Sequence, residues 1–204
     1  MAFRVLGPRA QQFVDHLSRY CGLTLVLANN TVTVSRDTLI NPAESETLQN
    51  LVYEIIGSPN VVEITAFGGR PAGMGFTLDR FFANPGFQRP RRSVYVADFD
   101  DMENLSPTMA RGGMGHVLRE YFGAARPPGQ NPGLAFALYH VPAIRTEAEI
   151  VSDLTGRPIW TGNNRPWEQT VGNTMVRSYG PGLRFQLMFS PGGELTRIIA
   201  PPGI

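Results

Sequence analysis

The sequence predicts an α+β fold, with a small mixed, mainly antiparallel sheet packed on several helices and a β-hairpin at the C-terminal end. Segments with apolar residues at helical spacing alternate with short runs rich in β-branched residues. Clusters of glycine and proline separate these segments. The last part of the chain, about residues 158–204, is turn-rich and carries two strand-like runs around a Pro-Gly-Gly turn. At 204 residues without an internal repeat, the chain predicts a single domain over residues 1–204.

The first third of the chain predicts helices that alternate with strands. Gly22 can end the first helix because glycine readily adopts a left-handed conformation. Asn29 and Asn30 lie between two β-rich runs and are typical of a tight hairpin turn. Asn41 or Ser45 can cap the second helix. The predicted elements are a helix over 9–21, a hairpin over 23–35, a helix over 43–57 and a strand over 61–67.

The rest of the chain centres on a predicted helix over residues 107–124. Ser106 is a good N-cap, and Pro107 suits the first helical position. Three glycines precede a histidine inside this helix, although each costs about 1 kcal/mol relative to alanine. They indicate that another backbone approaches the helix closely there. Around it we predict a loop over 68–93, a strand over 93–99, a loop over 125–133, an apolar run over 134–144, a helix over 143–155 and a hairpin over 183–200.

Composition and charge exclude several classes of protein. The formal net charge is +1 and no long run of one sign occurs, which argues against nucleic-acid binding. No stretch of about 18 apolar residues occurs, so we predict no membrane span. The N-terminal segment lacks the apolar run of a signal peptide, so we expect a cytoplasmic location in the producing cell, or delivery into a target cell without a cleaved signal. Cys21 is the one cysteine, so no disulfide can form within the chain.

All 18 basic side chains are arginine. A GC-rich coding bias is the ordinary cause of such a composition. The alternative is a protein that works inside a foreign cell and offers no lysine for modifications such as ubiquitination.

His116 and Glu120 are the residues on which chemistry is predicted to centre. Four positions apart in the predicted helix, they lie on one face about one turn apart, which suits either a shared metal ion or a simple surface hydrogen bond. His140 follows about 20 residues after Glu120, and Glu147 lies in the next helix. Two imidazoles and a carboxylate suit zinc and leave one position for water. Because zinc–ligand bonds are about 2 Å long, the imidazoles of His116 and His140 must then lie within about 8 Å of each other.

The order of elements resembles that of the zincin-type effector metallopeptidases of bacteria, which include NleD-like secreted proteases and injected toxin domains. The similar stretch runs from about residue 10 to 155, which places the zincin-like part at about 9–157. In that family the central helix carries the motif GHELxHA. Here the helix reads Gly-His-Val-Leu-Arg-Glu-Tyr, so Gly115, His116 and Leu118 match.

The resemblance implies the roles of individual residues. His116 is expected to be the first zinc ligand, Glu120 takes the position of the second, and His140 or Glu147 is the further ligand. Val117 stands where the family has the glutamate that acts as general base, and valine cannot accept a proton. Glu147 or Glu149 is therefore expected to supply the base, with Glu147 preferred. Stabilisation of the carboxylates or of an oxyanion is expected from Arg119, Arg145, Tyr121 or Tyr139.

We therefore expect a zincin-like, zinc-dependent hydrolase with His116, Glu120 and His140 as ligands and Glu120 and Glu147 as catalytic groups. It would be a bacterial effector or toxin peptidase that acts on a protein or peptide substrate. A secretion or injection apparatus or a chaperone would be a further partner. No nucleic acid is expected as a partner.

Three alternatives remain open. A zincin scaffold that has lost its catalytic base could serve as a binding or cargo domain. Asp98 and Asp100 follow a predicted strand and could form the nucleophile loop of a magnesium-dependent phosphatase. Cys21 and a histidine could form a cysteine hydrolase.

Overall fold

The computed structural model describes residues 3–35, 45–67, 95–98, 106–125, 136–189 and 195–204. Four helices lie in this part of the chain: α1 (Ala10–Cys21), α2 (Glu46–Gly57), α3 (Pro107–Ala124) and α4 (Phe136–Thr155). The strands are β1 (Phe3–Leu6), β2 (Leu25–Ala28), β3 (Thr31–Val34), β4 (Val62–Phe67), β5 (Tyr95–Asp98), β6 (Trp167–Val171), β7 (Thr174–Gly180), β8 (Leu183–Phe189) and β9 (Leu195–Ile199). The predicted α+β class is confirmed.

The first five strands form one mixed sheet with the order β2-β3-β1-β4-β5. Strands β1, β4 and β5 run parallel, and the β1/β3 and β2/β3 pairs are antiparallel. The sequence analysis did not predict β1, because four residues at the chain start give too short a pattern. Pairing with β3 and β4 forms this strand and buries Phe3 and Val5 completely. The predicted loop over 68–93 lies outside the described residues.

Local signals define the predicted turns and helix ends correctly. Gly22 follows α1 with φ of 70°, and Asn29 and Asn30 take φ of 49° and 61° in the hairpin turn. The Ser45 hydroxyl caps α2 by accepting a hydrogen bond from the Leu48 amide. The Ser106 hydroxyl caps α3 in the same way. Short polar side chains therefore fix where each of these two helices begins.

Helices α3 and α4 pack closely because glycines on α3 face α4. A side chain at Gly112 would lie 3.1 Å from Val151 and 3.2 Å from Glu147, and one at Gly115 would collide with Ile150. The close approach of a neighbouring helix is therefore observed, although the nearest atoms are side-chain atoms of α4 and not the predicted backbone. It brings the carboxylate of α4 next to the histidine of α3.

Helix α4 differs from its prediction. The sequence favoured a helix over about 143–155. The observed helix begins at Phe136 and continues through Pro142. Its buried face packs on α3, and this packing outweighs the amide hydrogen bond that proline cannot make. His140 is therefore a helical residue.

The C-terminal part forms a larger sheet than the predicted hairpin. Strands β6 to β9 are consecutive and antiparallel. The face of this sheet that points inward joins the main hydrophobic core through Met175, Tyr179, Phe185 and Leu187. None of the helices in the described ranges has the length and the hydropathy needed to cross a membrane.

Gly115→Ala tests the helix packing. We expect this variant to be no more stable than the wild type, because the added methyl group must displace the buried δ-methyl group of Ile150, which offsets the gain in helix propensity. Gly57→Ala is the matched control, since nothing lies within 4 Å of a side chain at Gly57. Helix propensity should make the control more stable by up to about 1 kcal/mol. Chemical denaturation measures the free energy of unfolding of both variants. An equal increase in the two variants would contradict the close packing at Gly115.

Candidate metal centre

Two elements bring the predicted ligands together. His116 and Glu120 lie one turn apart on α3, and His140 comes from the second turn of α4. One ligand atom from each residue lies within 4.8 Å of the other two, so the cluster could hold a metal ion. The imidazole centroids of His116 and His140 are 4.9 Å apart, well inside the required 8 Å. Glu120 Oε2 lies between them, 3.3 Å from His116 Nε2 and 3.8 Å from His140 Nδ1.

The cluster is buried and contains unsatisfied polar atoms. His116 is 3% exposed and Glu120 is 2% exposed. His116 Nε2 and Glu120 Oε1 have no hydrogen-bond partner among the described residues. Leaving such atoms unpaired in a protein interior costs about 1–3 kcal/mol each. A cation in the space between the three side chains could satisfy such atoms.

Each imidazole has a carboxylate on the side that faces away from this space. Glu147 Oε2 lies 2.8 Å from His116 Nδ1 and forms a buried hydrogen bond with it. Glu168 Oε1 lies 3.7 Å from His140 Nε2. Metal-binding histidines commonly use one ring nitrogen for the metal and the other for a carboxylate. His116 is arranged in this way, and Glu168 lies on the corresponding side of His140 at a longer distance.

Arg177 of β7 joins the two outer carboxylates. Its Nε donates to Glu168 Oε2 at 2.7 Å, and its Nη1 donates to Glu147 Oε1. The hydroxyl of Tyr179 donates to the same Glu147 oxygen at 2.7 Å. Arg177 and Glu147 are 4% and 0% exposed. Strands β6 and β7 therefore supply part of the site.

The charges of these groups shift their pKa values. Burial opposes a charged imidazole, but Glu120 and Glu147 outweigh it and raise the pKa of His116 to about 10. Burial is likewise outweighed at His140, where Glu120 and Glu168 raise the pKa to about 8. Burial would raise the pKa of Glu147, but Arg177 and His116 hold it below the usual range. With no metal bound, both imidazoles are therefore protonated at neutral pH.

The charges of the buried groups are compatible with a bound divalent cation. The carboxylates of Glu120, Glu147 and Glu168 have lowered pKa values and are ionised. Arg177 supplies one positive charge. With neutral imidazoles the three carboxylates and one guanidinium leave a net charge of −2. Two protons on the imidazoles or one divalent cation can neutralise it.

Several predicted roles do not fit the observed positions. Glu147 was expected to act as the base, but its oxygens already accept hydrogen bonds from His116, Arg177 and Tyr179. Arg119 and Arg145 were expected to stabilise the carboxylates or an oxyanion. Instead, Arg119 pairs with Glu54 and Arg145 pairs with Glu149 at the surface. The arginine that reaches the carboxylates is Arg177.

The sequence analysis missed Glu168, Arg177 and Tyr179. One signal could have indicated Arg177. Along β7, Met175, Arg177 and Tyr179 alternate with the residues of the other face, so Arg177 occupies a position that should point inward. A charged residue at such a position indicates a buried partner of opposite charge.

The structure describes some of the residues on which the cysteine hydrolase and phosphatase alternatives depend. Cys21 is fully buried, and burial raises the pKa of its thiol to about 11, which does not suit a nucleophile. Asp98 is the last residue of β5, at the end of a parallel strand. Asp100 lies outside the described residues, so the phosphatase alternative stays a prediction.

Comparisons with family models, with curated proteins and with solved structures gave no match to this chain. The resemblance to zincin-type metallopeptidases therefore stays a prediction that rests on the residues quoted above.

The stability of the metal-free protein should depend on pH. The pKa values of His140 and His116 are raised to about 8 and about 10, above the roughly 6.5 of an unfolded chain. Their stabilising contribution is therefore complete below pH 6.5 and is lost as the pH rises through 8 towards 10. Between pH 6.5 and 9, in a chelator, we expect a loss of more than about 1 kcal/mol, or about 2–4 °C in Tm.

Thermal unfolding followed by fluorescence measures this loss. The range stops at pH 9 because buried Cys21 adds its own loss of stability at higher pH. In the His140→Gln variant, the decrease in Tm that centres near pH 8 should be absent. A flat Tm in the metal-free wild type would show that the imidazoles are not charged in the folded state.

Proposed function

We propose that this protein is a zincin-like, zinc-dependent hydrolase that cleaves peptide bonds. The observation that carries the proposal is the buried cluster of His116, Glu120 and His140, whose ligand atoms lie within 4.8 Å of one another. The unsatisfied His116 Nε2 and Glu120 Oε1 support a cation in this space.

The donor set favours zinc over other common cations. Magnesium and calcium prefer oxygen ligands, whereas this site offers two imidazoles and one carboxylate. Catalytic zinc sites commonly use three protein ligands of this kind and leave a fourth position open. The net charge of −2 among the buried groups also suits a divalent ion.

The remaining residues limit how hydrolysis could proceed. A bound zinc ion would act as a Lewis acid that activates water and polarises a carbonyl group. Val117 cannot accept a proton, and Glu147 is occupied by His116, Arg177 and Tyr179. Glu120 Oε1 has no hydrogen-bond partner among the described residues, whereas Oε2 lies near both imidazoles. We therefore assign proton transfer to Glu120 Oε1 while Oε2 faces the imidazoles.

The biological role follows from the family resemblance. A bacterial effector or toxin that acts on a protein substrate in a target cell agrees with the element order, the partial GHELxHA match and the lysine-free composition. A secretion or injection apparatus or a chaperone would then be a further partner. These assignments are proposals about substrate and delivery, and the metal centre does not depend on them.

Zinc stoichiometry tests the metal centre. We expect about one zinc ion per chain in the wild type, because three ligands converge on one site. His116→Asn and His140→Asn should each lower the zinc content to well below half. His16→Asn is the matched control and should keep full zinc content, since the third histidine lies on α1 beside Tyr20. Elemental analysis after dialysis measures the content; equal zinc in all four proteins would refute the site.

Peptide hydrolysis tests the activity. We expect the zinc-loaded protein to cleave members of a peptide library, and Glu120→Gln to lower kcat by at least about 100-fold, the usual contribution of a general acid or base. Glu149→Gln is the matched control, because Glu149 pairs with Arg145 at the surface. Zinc binding without hydrolysis of any peptide or protein substrate would favour the scaffold alternative. Magnesium-dependent phosphate release would favour the phosphatase.

A further inference from the structure

We infer that Arg177 is the positioning residue of the metal centre, which orients both imidazoles through Glu147 and Glu168. This inference rests on the proposed metal site. It assigns the C-terminal sheet an essential part in that site, although the sequence placed the site wholly within residues 9–157.

Each of the two outer carboxylates uses its two oxygens for different partners. Glu147 uses Oε1 for Arg177 and Oε2 for His116, and Glu168 uses Oε2 for Arg177 and Oε1 for the contact with His140. Arg177 therefore holds one oxygen of each carboxylate, and the opposite oxygen faces an imidazole. We call the two connections, Arg177–Glu147–His116 and Arg177–Glu168–His140, the Glu147 arm and the Glu168 arm. They meet in one planar guanidinium group, whose fixed geometry defines the distance between the two carboxylates.

This arrangement decides which ring nitrogens face the cation. The Glu147 arm holds Nδ1 of His116, so Nε2 is left for the metal. The Glu168 arm faces Nε2 of His140, so Nδ1 points towards Glu120. The two histidines thus present different nitrogens, and a free imidazole could rotate to present either one. Arg177 restricts that choice for both rings at once.

Lysine cannot replace arginine in this role. A lysine ammonium group is a point charge, whereas the guanidinium group presents several N–H donors in a rigid plane. Lysine at position 177 would keep the positive charge but could not hold both carboxylates in the observed geometry. The substitution therefore separates the charge of Arg177 from its geometry.

Charge and geometry predict opposite effects on metal binding. If Arg177 acted only through its charge, Arg177→Met would remove a repulsive cation and strengthen zinc binding, and Arg177→Lys would behave as wild type. If Arg177 acts by positioning, both variants weaken zinc binding. The expected loss is about 10–100-fold in affinity, as for other residues that orient metal ligands.

Zinc affinity of Arg177→Met and Arg177→Lys, measured by competition with a fluorescent chelator, tests the inference. The visible absorption spectrum of the Co²⁺-loaded proteins reports the ligand geometry, and both variants should show altered bands. Arg157→Met is the matched control: Arg157 holds the carbonyls of Gly182 and Pro202 at the same sheet, so its loss weakens the fold but should leave affinity and spectrum unchanged. Wild-type affinity in Arg177→Lys, or tighter binding in Arg177→Met, would overturn the inference.

A second measurement keeps the inference testable should the Arg177 variants not fold. Glu168→Ala removes one arm and leaves the Arg177–Glu147–His116 arm intact. Nitrogen NMR of the zinc-loaded variant should show a changed signal for His140 and an unchanged signal for His116. Equal changes at both rings, or none, would refute the two-arm arrangement. If the wild type itself binds no zinc, the proposed function fails first.

Discussion

The ion bridge from Glu147 through Arg177 to Glu168 is the interaction on which the site depends. A buried carboxylate or guanidinium loses its hydration, and this cost is compensated only when every charge has a close partner. Here each outer carboxylate contacts both Arg177 and an imidazole. The bridge also connects α4 to β6 and β7, so the helices and the C-terminal sheet share one buried polar centre.

Close packing of α3 on α4 gives this centre its dimensions. Gly112 and Gly115 remove the side chains that would separate the helices. Helix stability decreases with each glycine, but the short distance lets Glu147 reach His116 Nδ1. The same packing keeps α4 helical through Pro142 and sets His140 opposite His116. Backbone geometry thus determines the spacing of groups whose chemistry requires distances of a few ångströms.

The electrostatics of the site explain how the same residues suit both protons and a metal ion. The ionised carboxylates stabilise positive charge on His116 and His140, which raises the pKa of each imidazole. A divalent cation supplies the same two charges at one point between them.

The sequence by itself determined the α+β class, the turns at Asn29-Asn30 and Gly22, the capped start of α3 and the pairing of His116 with Glu120. These features depend on local periodicity, on capping hydroxyls and on backbone conformations that few residues adopt. The tertiary structure decided the rest. Strand β1 exists because two neighbours pair with it, and Arg177 reaches Glu147 across 30 positions of sequence because β7 packs on α4. The alternation along β7 can indicate that Arg177 points inward, but it cannot identify Glu147 as the partner, since only the folded backbone brings the two side chains together.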